Sequence, residues 1–232
     1  MLDATRDSED RMRQFVADAS HELRTPLTTL RGYAELHAGR VEDPDTADAL
    51  RRIRAEATRM HRLVEDLLTL TSLDRATLHL GPVDVRRMLD DVASDLQVAQ
   101  PERLVTVEAA AGVRLVADEE RLTQAVMALG TNALRHTPVT AAVRLTAYAT
   151  GGEVVIEVSD DGPGIPPEEM ARVWDRFARV SQGRAGGGTG LGLAIVAGIV
   201  TAHGGRYAAL SPPQGGVTFR LVLPAGSQAE GP

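Results

Sequence analysis

At 232 residues, 43% hydrophobic and 25% charged, the chain has a globular composition with room for one large core plus an extension, or for two modest domains. A net charge of -7 without a basic cluster argues against a nucleic-acid partner, whose phosphates a basic face would have to neutralise. Cysteine is absent, which excludes disulfides and thiolate metal sites, and lysine is absent too, which excludes the Walker loop and the serine/threonine kinase design, both of which hold nucleotide phosphates with a lysine.

The chain opens in a polar, helix-compatible stretch, and a first helix is predicted from about Asp7 to Arg40, with Val16, Ala19, Leu23, Leu27, Leu30 and Ala34 as its apolar stripe. The segment VEDPDTAD suits a turn, with Asp45 or Thr46 expected to cap a second helix. In that helix Leu50, Ile53, Ala57, Met60, Val64 and Leu67 repeat at steps of three and four, as a coiled-coil seam does. The pair reads as an antiparallel helical hairpin. One hairpin leaves part of each stripe wet, so a homodimer closing a four-helix bundle is expected.

After Leu80 the pattern changes to short β-branched runs alternating with helices. Strands are predicted at Val105 to Glu108, Val113 to Val116, Ala141 to Tyr148, Val154 to Val158, Arg206 to Leu210 and Val217 to Leu223. Helices are predicted at Val85 to Ala99, Glu119 to His136 and Leu191 to His203. The fold class expected is α+β: a domain over 1–76 formed by the hairpin, a linker over 77–83, an α/β sandwich over 84–225, and a disordered tail over 226–232. No apolar run approaches the roughly 18 residues of a membrane span. No membrane contact is expected of this segment, which reads as a piece of something longer.

Four places carry candidate chemistry. His21 projects away from the apolar stripe with Thr25 one turn further along the same face, and Pro26 frees the carbonyl of Glu22 and should loosen the helix beside the histidine. Asn132, Arg135 and His136 end a predicted helix; an amide oxygen beside a cation or imidazole suits a metal-bound phosphate, although a capped polar helix end before Pro138 would look the same. Gly188, Thr189, Gly190, Leu191 and Gly192 run a glycine-rich loop into an apolar helix, which suits an anion cradle, after a connection over Pro166 to Gly188 of the kind that forms lids. Asp160 and Asp161 precede Gly-Pro-Gly, which taken alone reads as an ordinary turn.

In this order, SHELRTPL, NALRHT, DDGPGI, VWDRFARV and GGGTGLGLAIV resemble the phosphoacceptor, N, first glycine, F and second glycine boxes of sensor histidine kinases, over nearly the whole chain. The resemblance implies a dimerisation and histidine phosphotransfer hairpin, then an ATP-binding domain of the fold shared with type II topoisomerase ATPases. It implies that His21 takes the γ-phosphoryl of ATP, that Glu22 accepts the proton of the other ring nitrogen, and that Thr25 positions water for regulator dephosphorylation. Asn132 would ligate Mg²⁺, Arg135 would face the phosphates with His136 beside it, and Arg179 would reach them from the lid. Asp160 would accept from the adenine amino group, with Gly162 and Gly164 turning the chain beneath the base. The implied partner is an aspartate on a separate response regulator, because a receiver site carries a lysine and this chain has none. The implied setting is the cytoplasmic part of a protein anchored in the membrane upstream. Three positions depart from the family pattern: Ala128 opens the N box where asparagine is usual, Asp161 stands where asparagine is frequent, and Trp174 replaces the commoner phenylalanine. Two rivals are an ATP-operated clamp like the topoisomerase and chaperone relatives, and a non-enzymatic scaffold. Ala128 disfavours the clamp, since those relatives carry there the glutamate that activates water.

Overall fold

A computed structural model describes residue 23 and residues 27–35, 43–73, 78–178, 189–211 and 215–226. The chain divides into two compact units, Met1–Arg75 with Gly187–Leu191, and Ala76–Gly186 with Gly192–Pro232.

In the first unit, α1 (residues 27–35) precedes α2 (Pro44–Leu73), whose 30 residues make a rod about 45 Å long. The cap of α2 differs from expectation. Asp43, rather than Asp45 or Thr46, accepts from the Thr46 backbone N–H at 3.0 Å, and its carbonyl accepts from Ala47. Pro44 opens the helix because a first-turn residue needs no N–H partner and its φ is already helical. The predicted seam also divides. Ala57 and Val64 are buried, as are Leu27, Ala34 and Leu70, whereas Ile53 is 48% and Met60 40% exposed, along with Leu23, Leu30 and Tyr33. The apolar stripe is therefore wider than one intrachain contact covers. Val16 and Ala19 lie outside the described residues, and so does the tail beyond residue 226.

The second unit layers helices over a five-stranded sheet. Its elements are β1 (Gly81–Asp84), α3 (Val85–Ala99), β2 (Val105–Ala109), β3 (Arg114–Ala117), α4 (Glu119–His136), β4 (Val143–Thr150), β5 (Glu153–Asp160), α5 (Pro167–Met170), α6 (Gly192–Ala202), β6 (Arg206–Leu210) and β7 (Val217–Pro224). The sheet order is β2-β4-β5-β7-β6, antiparallel except for the parallel β2–β4 pair, while β1 and β3 pair separately. Strand β1 was not among those predicted, since Gly81 and Pro82 are poor strand formers tolerated on an edge. Helix α3 buries Val85, Met88, Leu89, Val92, Ala93 and Leu96, the three-and-four spacing of a single face.

Along β5 the period of two puts Val154, Ile156 and Val158 in the core, and Asp160 ends that row. Glu157 faces the other side, where its carboxylate takes the Arg220 guanidinium of β7 at 2.6 Å, and Arg144 meets Glu108 at 3.2 Å across β4 and β2. Asp118 caps α4 from a buried position: its carboxylate accepts from Arg121 N–H at 3.1 Å and His79 N–H at 3.0 Å. Burial pushes its pKa up, but these two N–H donors, with the charge of Arg121, hold it below the ordinary value. Asp118 N–H donates to His203 Nε2 at 3.0 Å, so the ring carries its proton on Nδ1, 2.8 Å from the Ile199 carbonyl. Beyond β7 the chain stays tied down, with Val116 N–H donating to the Ala225 carbonyl and Ala225 N–H to that of Gly152, each at 3.0 Å.

Candidate active site

The end of α4 carries three of the predicted residues. Asn132 is half-buried and its side chain makes no hydrogen bond among the described residues; Arg135 and His136 follow it within one turn, both exposed. Partial desolvation, then the neighbouring charge of Arg135, holds His136 below its ordinary value and favours the neutral imidazole. Thr137 ends the helix, donating through its hydroxyl to the Ala133 carbonyl at 2.8 Å.

The loop after β5 packs against this helix end. A Cβ on Gly162 would lie 2.3 Å from the Thr137 Cγ2 methyl and 2.8 Å from Asp160 Oδ1, so only glycine admits the approach. Gly162 N–H donates to Asp160 Oδ1 at 2.9 Å. Gly164 sits at φ +83°, where a side chain would be strained and would also meet Ser211 Oγ at 2.7 Å. Asp160 is 9% exposed, and burial raises its pKa against the pull of the Gly162 and Val217 N–H groups and of Arg103. Asp161, next along the chain, is exposed. The strand's alternation thus separates the two carboxylates: the first continues a core row and the second faces solvent.

Two further segments hold the loop, and neither was read from the sequence. Gly216 N–H donates to the Gly162 carbonyl at 2.7 Å, while Ser211 Oγ accepts from Ile165 N–H at 2.9 Å and donates to the Gly216 carbonyl at 3.0 Å. The Gly-Gly pair before the strand-like run VTFRLVL is the signal that marks this clasp. Arg103 is the other, only 1% exposed beneath the end of α4.

The remaining predicted residues fall elsewhere. Thr189 and Leu191 belong to the first unit, where Thr189 Oγ1 donates to Asp66 at 2.6 Å and accepts from Leu191 N–H at 3.3 Å. Gly190 adopts φ +74° and Gly192 begins α6. Trp174, half-buried, packs on Tyr207 and Phe219 with ring centroids 4.6 and 5.6 Å away. His21, Glu22, Thr25, Arg179 and Gly188 lie outside the described residues.

The chemistry of the described residues fits a nucleotide. A buried carboxylate that meets no cation within salt-bridge distance among the described residues keeps acceptor capacity for an N–H donor such as an exocyclic amine. The Asn132 amide oxygen, with no hydrogen bond among the described residues, is chemically able to serve as one oxygen ligand of a Mg²⁺ held chiefly by phosphates.

Comparison with known proteins agrees. The family model described as "Histidine kinase-, DNA gyrase B-, and HSP90-like ATPase" matches residues 117–227, and "His Kinase A (phospho-acceptor) domain" matches residues 11–76. The solved mycobacterial sensor histidine kinase MprB is 30% identical with a TM-score of 0.58, over 62% of this chain and 97% of that one. The chain belongs to the sensor histidine kinases. Among other members, the probable sensor histidine kinase TcrY of Mycobacterium tuberculosis is 45% identical over 228 residues, 96% of this chain and 48% of TcrY. Full-length ShkA, solved in complex with AMPPNP, is 31% identical with a TM-score of 0.76, over 93% of this chain and 46% of ShkA. This histidine-kinase chain spans about half the length of the curated relatives it matches. No described helix is long and apolar enough to cross a membrane.

Proposed function

We propose that this sensor histidine kinase segment transfers the γ-phosphoryl group of ATP to a ring nitrogen of His21 and passes it to an aspartate of a separate response regulator. The observation that carries the reading is the contact of Thr137 with Gly162, which joins the helix end bearing Asn132 to the loop bearing the buried Asp160. The proposed phosphate and base sites would then share one closely packed junction. The AMPPNP bound by the related ShkA supports ATP as the donor.

In this mechanism Asp160 accepts from the adenine amino group, and Gly162 and Gly164 keep the loop low enough for the base to lie over it. Arg135 faces the phosphates with neutral His136 beside it. Mg²⁺, when bound, neutralises charge on the transferring phosphoryl oxygens. Asn132 would hold it. By the family resemblance, the second glycine box, Gly188 to Gly192, would offer backbone N–H groups to the phosphates, and Arg179 a positive charge. His21 must be neutral to attack, and Glu22 takes the other ring proton as charge develops. The Nε–P or Nδ–P bond forms as the bond to the β-phosphate bridging oxygen breaks, and ADP leaves.

The exposed Leu23, Leu30, Ile53 and Met60 suit a second copy, giving the dimeric four-helix bundle. Thr25 would position water for dephosphorylating the regulator. The segment would work on the cytoplasmic side of a longer membrane-anchored protein. Incubation with γ-labelled ATP tests the reading. Acid-labile label should appear in the wild type and vanish in His21→Gln, while Thr25→Ala should keep it and lose regulator phosphatase activity. Label retained in full by His21→Gln would overturn the acceptor assignment.

A further inference from the structure

Arg103 lies between α3 and β2, in the sequence PERLV, and none of its motifs or neighbours marks it as functional. It is nevertheless 1% exposed, the largest fully buried side chain among the described residues. Its guanidinium reaches six acceptors: Gln100 Oε1 at 3.1 Å, Thr137 Oγ1 at 3.0 Å, the carbonyls of Ala141 at 2.6 Å, Leu134 at 3.2 Å and Thr137 at 3.2 Å, and that of Pro138. Among the described residues no carboxylate comes within salt-bridge distance. The charge is met instead by carbonyls at the C-terminal end of α4, where the helix dipole favours a cation.

Burying an arginine is expensive, and capping a helix end does not require it. A glycine and water would satisfy the same carbonyls. What the guanidinium adds is a rigid planar fork that ties together α4, the 137–141 turn and the Thr137 hydroxyl. Thr137 is the residue whose methyl seats Gly162, and Gly162 N–H holds Asp160 Oδ1. One buried cation therefore stands behind both halves of the nucleotide site.

We propose that Arg103 is a positioning residue for the nucleotide: it fixes the end of α4 that carries Asn132 and, through Thr137 and Gly162, the carboxylate of Asp160, whose charge it also offsets across the junction. The inference rests on the nucleotide reading above. The groups bearing on Asp160 are Arg103, which favours its ionised form, Asp161, which opposes it, and the N–H groups of Gly162 and Val217, which favour it against burial. Because the adenine amine donates to the ionised carboxylate, ATP affinity should rise with pH through the ionisation of Asp160. Removing the Arg103 charge should push that midpoint up.

The test is calorimetric titration of the whole chain with ATP across pH, for the wild type, Arg103→Met and Arg103→Lys, with thermal melts confirming that each is folded. Arg103→Met should lose about tenfold or more in affinity, the scale of one or two hydrogen bonds to a charged group, and its pH midpoint should move up. Arg103→Lys keeps the charge but cannot span the six acceptors, so it should lose affinity with its midpoint in place. If Arg103→Met does not fold, Arg103→Lys carries the test, and wild-type affinity in that variant overturns the proposal. Folded Arg103→Met that binds weakly with an unmoved midpoint reduces Arg103 to a structural buttress and also overturns it. Wild type that fails to bind ATP at any pH removes the nucleotide reading itself, and the inference with it.

Discussion

Replacing Gly162 by alanine isolates a steric effect, because the position does not need positive φ and only the added methyl is at issue. That methyl would stand 2.3 Å from Thr137 Cγ2, 2.8 Å from Asp160 Oδ1 and 3.0 Å from Thr137 Cβ. Thr137 cannot rotate away cheaply, since its hydroxyl is held by the Ala133 carbonyl at 2.8 Å and by Arg103 at 3.0 Å. Forcing one methylene into such packing costs about 1–3 kcal/mol. Relaxing it means displacing the loop that holds Asp160, so the same figure should appear in nucleotide affinity as roughly a 5-fold to 150-fold loss. Thr137→Ser removes the obstructing methyl and keeps the hydroxyl. The double variant Gly162→Ala with Thr137→Ser should therefore recover the part of the loss due to the Cγ2 methyl, the closest of the three contacts, and a double-mutant cycle by ATP calorimetry should give a coupling of at least about 1 kcal/mol. Additive single losses would refute the reasoning, because they would mean that the alanine acts somewhere other than on Thr137.

Ile53→Asp with Met60→Asp changes residues that are 48% and 40% exposed in the single chain, so the hairpin should keep its helicity while light scattering shows the dimer lost; a wild type that is monomeric at micromolar concentration would sink the bundle. Acidity should act in two opposed ways on unfolding by denaturant. His136 has a lowered pKa, so the unfolded chain binds more protons just below its ordinary 6.5, and stability present at pH 7 should decline as pH falls toward the folded value. Asp160 has a raised pKa, so its contribution runs the other way: stability falls as pH climbs from 3.8 through the folded value, and Asp160→Asn should flatten that part of the profile. Trp174, packed on Tyr207 and Phe219, should show red-shifted emission in Tyr207→Ala and a smaller shift on adding Mg²⁺-ATP; an unchanged spectrum in the variant would contradict the packing.

The parts legible in the sequence are those set by local periodicity. The bounds of α3 and α4 follow from their three-and-four spacing, and β4, β5 and β7 from alternation, to within two residues at each end. Asp160 was legible only through its box, because taken alone the Asp-Asp-Gly-Pro-Gly run reads as a turn, and its place at the end of the buried row Val154, Ile156, Val158 emerges with the strand's full length. Arg103 was not, because its acceptors lie more than 30 residues away apart from Gln100, and nothing local distinguishes a buried arginine from the exposed majority. The split of the α2 seam was hidden for a related reason: periodicity shows how wide an apolar stripe is, but not which partner covers each part of it. The cap was misplaced because Pro44 reads equally as a turn residue and as the first residue of a helix.

Strand β7 is the penultimate element of the sheet in space yet the last in the chain, lying between β5 and β6 and followed by the backbone ties of Ala225 to Val116 and Gly152. On the ribosome this ordering has a cost. A nascent chain emerging at about 5–20 residues per second presents the β5 edge, with its apolar row unpaired on one side, until residues 217–225 have followed. Products terminated before Gly215 would lack β7 and the Gly215–Gly216 clasp together, so premature stops should yield aggregates or degradation fragments instead of a weakened nucleotide domain. Quality control of this kinase is thereby tied to its final strand.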